Sequence, residues 1–159
     1  MADSASLVVF SLEEQRFALD YRRVIQVLRA VAHTPLPGAP GNVAGVINMR
    51  GEVVPLFSLR RRLGLPERAQ RVSDNLVVAR TARRTLALMV DEVIGVSHLD
   101  SNLIVSGDRI FAGLDLVEGV VKCVDGLVVI QNLDRFLSLE EDAALDTALD
   151  AQAHDNIRF

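Results

Sequence analysis

Tryptophan is absent from this chain, and six Phe with one Tyr bring aromatics to only 4% of its residues, so any core must be built from aliphatic side chains. The single cysteine, Cys123, excludes a disulfide framework within the chain. It lies in Val120-Val121-Lys122-Cys123-Val124, where it is expected to pack as a small apolar residue, and Lys122 beside it points to the opposite strand face. Histidine is scarce as well. His33, His98 and His154 stand apart with no second His or Cys at ligand spacing, which leaves no pattern for zinc, and His33 and His98 are expected to be exposed. GxxxxGK[ST], GxGxxG and GxSxG are all missing, which removes the commonest nucleotide and hydrolase motifs. Gly38-Ala39-Pro40-Gly41 reads as a turn, since no strand-to-helix transition follows it. No catalytic residue, cofactor or metal is nominated.

Long apolar runs are missing too. None approaches the roughly 18 residues of a membrane span, and Met1-Ala2-Asp3-Ser4 has neither the basic nor the apolar region of a signal peptide. The expectation is a cytoplasmic protein with no direct membrane insertion. Basic residues are in deficit, 17 against 21 acidic, giving a net charge of −4 and a pI near 5.3, which argues against nucleic acid as a partner. Arg60-Arg61-Arg62 and Arg80 with Arg83-Arg84 are local exceptions. Most of these are expected as solvated surface, with the first cluster able to extend a binding face that begins at Arg50.

What the chain has is valine and its relatives. Half of the residues are hydrophobic, and a chain of this length buries roughly 70% of its unfolded surface, as one domain or two intimately packed halves. Strand signals recur at Leu7 to Leu12, Arg16 to Leu19, Val24 to Val31, Val43 to Met49, Val53 to Phe57, Leu76 to Arg80, Thr85 to Val90, Val93 to Leu99, Val117 to Val124 and Leu127 to Gln131. Many short strands between turn signals argue for an all-β fold, mainly strand with short helices, built as barrels or a sandwich. Leu59 to Leu63, stopped by Gly64 and Pro66, reads as one helical turn, as does Leu133 to Leu139. Leu139 to Leu149 can form an acidic helix with Leu145 and Leu149 on one side. Pro66 to Asp74 reads as a polar loop tolerant of change. Gly45-Val46-Ile47, a turn glycine and Val53-Val54 echo Gly119-Val120-Val121, Gly126 and Val128-Val129, a loose repeat whose spacings differ by one residue and which favours two similar subdomains.

Three elements carry most of the interest. Between Val24 and Val31 the run is apolar enough either for core or for a contact surface. Asp91, between two strand-like runs, is expected to hold a bend by accepting backbone N–H groups. The stretch from Pro35 to Leu59 sets Asn48-Met49-Arg50-Gly51 between two runs that must be largely buried, so Arg50 projects from a hairpin tip, either to meet a partner or to solvate the turn.

Pro37 through Leu56, Pro-x-x-Pro followed by Gly-Val-Ile-Asn-Met-Arg-Gly-x-Val-Val-Pro-Leu, resembles the signature of CheW-like domains, the coupling proteins of bacterial chemotaxis. Val24-Ile25-Gln26-Val27, Val90-Asp91-Glu92-Val93 and Val117-Glu118-Gly119-Val120 with Val128 to Leu137 follow in the family's order. The resemblance implies one domain over residues 1–137, made of two intertwined five-stranded SH3-like barrels over a shared hydrophobic layer, with an acidic C-terminal tail, 138–159, partly helical or mobile. It implies a non-enzymatic adaptor that couples methyl-accepting chemoreceptors to a CheA-type histidine kinase, recruited to receptor arrays at the inner membrane through those partners. The partners implied are the kinase's regulatory domain and the receptor's cytoplasmic tip. The partner-binding positions are Val24 and Gln26, and Gly45, Asn48, Arg50 and Gly51 at the receptor groove between the barrels. Gln26 stands for the family's glutamate, Met49 for leucine, Asn132 for aspartate and Ala87 for glycine. Two other readings stay open: an enzyme or ligand-binding barrel with its pocket between the subdomains, and an adaptor of a chemosensory pathway for pili or biofilm.

Overall fold

The computed structural model describes residues 4–106, 117–123, 126–135 and 137–157. Eleven strands are found among them: β1 (Ser4–Leu12), β2 (Gln15–Asp20), β3 (Val24–Arg29), β4 (Val43–Met49), β5 (Glu52–Ser58), β6 (Asn75–Arg80), β7 (Thr85–Val90), β8 (Glu92–Asp100), β9 (Ile104–Ser106), β10 (Val117–Cys123) and β11 (Gly126–Gln131). They form a six-stranded sheet, β8-β1-β2-β11-β10-β9, and a five-stranded sheet, β3-β6-β7-β5-β4. The chain starts in the first sheet, crosses after β2, completes the second with β3 to β7, and returns at Asp91.

The two sheets follow one plan. In each, two antiparallel hairpins meet along a parallel pair, β7 with β5 and β2 with β11. Each is closed by the chain that leaves its first strand. Beyond β3, Thr34 forms a bridge to Val46 of β4, while beyond β8 a single 3₁₀ turn, Ser101–Leu103, leads into β9, which pairs with β10. β8 and β9 are therefore two arms of one bent strand, and this is how the expected five-stranded unit comes to have six. The sequence held no signal for a strand of three residues. Of the expected strand Val117 to Val124, Val124 lies outside the described residues.

Side-chain alternation divides the apolar residues into three layers. Leu7, Val9, Ala18, Val121, Val128 and Ile130 fill the six-stranded unit. Ile47, Val54, Leu56, Leu76, Val78 and Ala87 fill the five-stranded one. Their strand neighbours point the other way, as period-two geometry requires, and Phe10, Leu12, Phe17, Leu19, Phe57, Val77, Leu86 and Leu88 make the shared layer between the units. Phe10 and Phe17 stack there with ring centroids 6.1 Å apart.

Two helices complete the described fold. α1 (Leu59–Leu63) is capped by the Ser58 hydroxyl and stopped by Gly64, whose φ of 70° suits glycine. The segment beyond residue 137 is a 19-residue helix, α2 (Leu139–Ile157). It docks: Leu145 and Ala148 are buried in the shared layer and Leu149 packs against it. Asp142, itself buried, pairs with Arg83 and Arg84, and Arg84 also reaches Asp146 at 2.8 Å. Arg84, expected on solvated surface, is instead half-buried as a clamp on this helix, while Arg83 is exposed as expected. Of Leu133 to Leu139, expected as a helical turn, Leu133–Arg135 forms a 3₁₀ turn and Phe136 lies outside the described residues.

Candidate docking surface

The β4–β5 hairpin places four of the six expected partner-binding residues. Its ladder runs from Val43↔Phe57 to Met49↔Glu52, which leaves Arg50 and Gly51 as a two-residue turn. Their φ values are 52° and 87°. Positive φ at both positions is the condition for a type I′ turn, whose twist matches the flanking strands, and the Asn48 side-chain oxygen accepts the Gly51 N–H at 2.9 Å. Arg50 is exposed and forms no hydrogen bond or ion pair among the described residues. Gly45 is buried farther down β4. A Cβ there would lie 2.3 Å from the Thr34 carbonyl oxygen, so the bridge that closes this sheet requires glycine.

Val24 and Gln26 lie on β3, at the other end of the sheet's hydrogen-bonding order. The structure thus gathers all six residues into one sheet but divides them between its two edges, which the chain from Arg29 to Thr34 connects. Both Val24 and Gln26 are half-buried, Val24 against the shared layer. The apolar side chains that β3 presents to solvent are Ile25, 54% exposed, and Val27, with Val31 beyond the strand end. The core reading of Val24 to Val31 is corrected for these residues. Alternation along β3 sets Ile25, Val27 and Arg29 outward and Val24, Gln26 and Leu28 inward, and a register shift between Val24 and Gln26 leaves Ile25 without a paired residue on β6.

Behind these edges lies a network that the sequence did not announce. Arg60 of α1 is only 8% exposed. Its Nη2 lies 2.9 Å from both carboxylate oxygens of Asp91, and its Nη1 pairs with Glu13 and donates to the Pro66 carbonyl at 3.0 Å. Arg68 continues the network, to Asp91 at 2.7 Å and to Asp74 at 2.7 Å, where Asp74 is 2% exposed. Two expectations are corrected here: Arg60 is not solvated surface, and the 66–74 loop, though mostly exposed, is tied down at two positions, half-buried Arg68 and buried Asp74. Asp91 does accept a backbone N–H, from Glu13 at 2.8 Å, and it is also where the chain crosses between the sheets. Burial works to raise the Asp91 pKa, but the Arg60 and Glu13 hydrogen bonds and the Arg60 and Arg68 charges hold it below the usual carboxylate value. The same opposition, with Arg68 and the Arg71 N–H as donors, leaves Asp74 lowered.

This region borders a cleft of about 470 Å³, where an enzyme or ligand-binding reading would look for its pocket. The charged residues of the cleft satisfy one another: Arg60 with Asp91, Arg68 with Asp74, and Arg61 with Glu67. Asp74 and Asp91, held below the usual carboxylate value, are weak general bases near neutral pH. His33 also faces the cleft; expected to be exposed, it is half-buried with no partner for its Nδ1 among the described residues.

Two similar units over a shared layer, locked by ion pairs and displaying an apolar strand and an unpaired arginine, make a scaffold rather than a catalyst. The CheW-like domain model matches residues 6–141. The chemotaxis protein CheW of Rhizobium meliloti is 32% identical over 146 residues, 87% of this chain and 91% of its own length. The chemotaxis protein CheW of Thermotoga maritima is 28% identical over 128 residues, covering 80% and 84%. The crystal structure of the scaffolding protein TtCheW from Thermoanaerobacter tengcongensis superposes with a TM-score of 0.78 at 28% identity, covering 89% of this chain and 96% of that one. The chain belongs to the CheW family, and it is a non-enzymatic scaffold of chemotaxis signalling. Among the described residues no helix is long and apolar enough to cross a membrane.

Proposed function

We propose that this chain couples methyl-accepting chemoreceptors to a CheA-type histidine kinase by docking both on one rigid body. The kinase's SH3-like regulatory domain docks along β3, and the receptor's helical tip meets the β4–β5 hairpin at Gly45, Asn48, Arg50 and Gly51. One observation carries this reading: the five-stranded sheet offers exposed Ile25 and Val27 on one edge and an unpaired Arg50 on a defined turn at the other. Apolar residues exposed on an edge strand are a ready surface for a partner, and an arginine without an internal partner is free to meet carboxylate or carbonyl groups. The Arg60–Asp91 network supports the coupling itself. A receptor biases a kinase only through a difference in contact free energy between states, and a rigid adaptor transmits that difference.

The receptor arm is tested by co-sedimentation of the chain with receptor-containing membranes. Arg50→Ala is expected to weaken association by about 1 to 3 kcal/mol, the range for a buried hot-spot arginine, with folding intact. Equal association of the variant removes Arg50 from the site.

A further inference from the structure

The motif Val117-Glu118-Gly119-Val120 has a second feature that the docking surfaces do not use. Glu118 falls at a register shift in β10, between Val117 and Gly119, and its side chain borders a cavity of about 130 Å³ in the six-stranded unit, with Asp20, Arg23, Gln131, Asn132 and Asp134. Gln131 is 3% exposed, and neither its Nε2 nor its Oε1 has a partner among the described residues. Buried polar groups are nearly always hydrogen-bonded, so a side chain whose amide is unmet at both ends is made to meet something in the cavity.

We infer that this cavity is a binding site for an organic cation, a guanidinium or ammonium head held by the Glu118 carboxylate and the Gln131 amide. Charge selects the class. Asp20 is paired with Arg22 at 2.7 Å and Asp134 with Arg23 at 2.9 Å, which leaves Glu118 as the uncompensated charge of the group. Three carboxylates around one cavity disfavour an anion. A neutral amide would leave Glu118 unpaired. Among the described residues no group of three or more His, Cys, Asp or Glu is arranged to hold a metal ion. The cavity has room for about four water volumes, enough for a guanidinium head and too little for a nucleotide. Glu118 is exposed, so the head has a route in. Partial desolvation, then the Asp20 charge, push the Glu118 carboxyl up against the pull of Arg23 and Arg22, the direction expected where a carboxylate lacks a cation of its own.

The test is NMR of the Gln131 side-chain amide in the full chain. It is titrated with ethylguanidinium, with arginine capped at both ends, and with neutral ethylurea. Ethylguanidinium is expected to shift the amide saturably, ethylurea to bind at least tenfold more weakly, and Glu118→Gln to lower the cation's affinity at least tenfold while the rest of the spectrum is unchanged. Capped arginine binding as well as ethylguanidinium assigns the site to a side chain from a protein, and ethylguanidinium binding alone assigns it to a small free cation. No saturable shift, equal binding of ethylurea, or full affinity in Glu118→Gln overturns the inference.

Discussion

The β4–β5 and β10–β11 hairpins are built to one plan and differ where each meets the strand that closes its sheet. Their ladders run in step, from Gly45↔Leu56 to Met49↔Glu52 and from Gly119↔Ile130 to Cys123↔Gly126, each with a register shift just before the glycine. The repeat is thus regular. It reads as offset in the sequence only when Gly51 of one turn is matched with Gly126, which is the first strand residue after the other. The glycines do the same work against different neighbours. A Cβ on Gly45 would meet the Thr34 backbone, whereas a Cβ on Gly119 would meet the Ile104 side chain at 2.6 Å and the Val105 carbonyl at 3.0 Å. One unit is closed by a single bridge on unyielding backbone and the other by a short strand whose nearest atom is a movable methyl group. The five-stranded unit also carries the Arg60 and Arg68 ion pairs and the exposed Arg50, while the six-stranded unit keeps an unpaired acid at Glu118. The two units share a plan, yet one carries the larger ion-pair network and the other a carboxylate with no ion-pair partner of its own among the described residues.

The tie between the halves is the first place to break this comparison. Arg60→Ala removes donors from Asp91, Glu13 and the Pro66 carbonyl while Arg68 still pairs with Asp91, and a loss of about 1.5 to 3 kcal/mol is expected, the range for hydrogen bonds to charged groups. Urea unfolding reads it; a loss under about 1 kcal/mol, the range of surface pairs, would mean that the network is solvated after all. The closing glycines sharpen the contrast directly. Gly45→Ala should cost about 1 to 3 kcal/mol through overpacking against backbone, and Gly119→Ala distinctly less because Ile104 can change rotamer. Equal melting temperatures for the two variants would contradict the difference in closure.

At the hairpin tip, Arg50→Asn turns the loop into Asn-Gly, the favoured type I′ pair. Stability should hold or rise by roughly 0.5 kcal/mol, since Asn tolerates positive φ better than Arg, while receptor association falls. Parallel losses of stability and binding would mean that Arg50 serves the turn. The smallest effect is in pH, where Glu118 has the opposite sign to Asp74 and Asp91, and also to Asp20 and Asp134 of its own unit. Asp74 and Asp91 have folded pKa values below their unfolded value near 3.8. The stability they add is complete above that value and is lost as pH falls through the folded pKa. Glu118 is raised above 4.5, so its contribution is complete below 4.5 and is lost as pH rises through the folded value. Asp91→Asn should flatten the acid limb of urea midpoint against pH, and Glu118→Gln should remove a shallow decline above 4.5; unchanged profiles in both would refute the assignment.

Much of this fold was legible because alternation and turn chemistry agree locally. Val43–Met49, Thr85–Val90 and the one-turn helix Leu59–Leu63 with its Gly64 stop fall where the sequence predicts them. What was illegible depends on partners distant in sequence. Nothing local tells Arg60 from Arg61 and Arg62; Arg60 alone turns inward to acids 47 and 31 residues away. The 66–74 loop looks expendable until Asp74 is seen buried under Arg68. On β3 the composition suggested either core or contact, and only the pairing register and the edge position separate Ile25 from Val24.

Ile25 on β3 and Ile94 on β8 make the most direct test, being apolar residues of similar exposure, 54% and 50%, on the first strands of the two sheets. The measurement is calorimetric titration of the chain with the regulatory domain of a CheA-type kinase, repeated with Ile25→Asp and Ile94→Asp. The account predicts one-to-one binding at micromolar Kd or tighter, about −8 kcal/mol or better, weakened at least tenfold by Ile25→Asp and little changed by Ile94→Asp. No binding by the unmutated chain, or an equal loss from Ile94→Asp, would contradict the claim that the five-stranded half is the docking half.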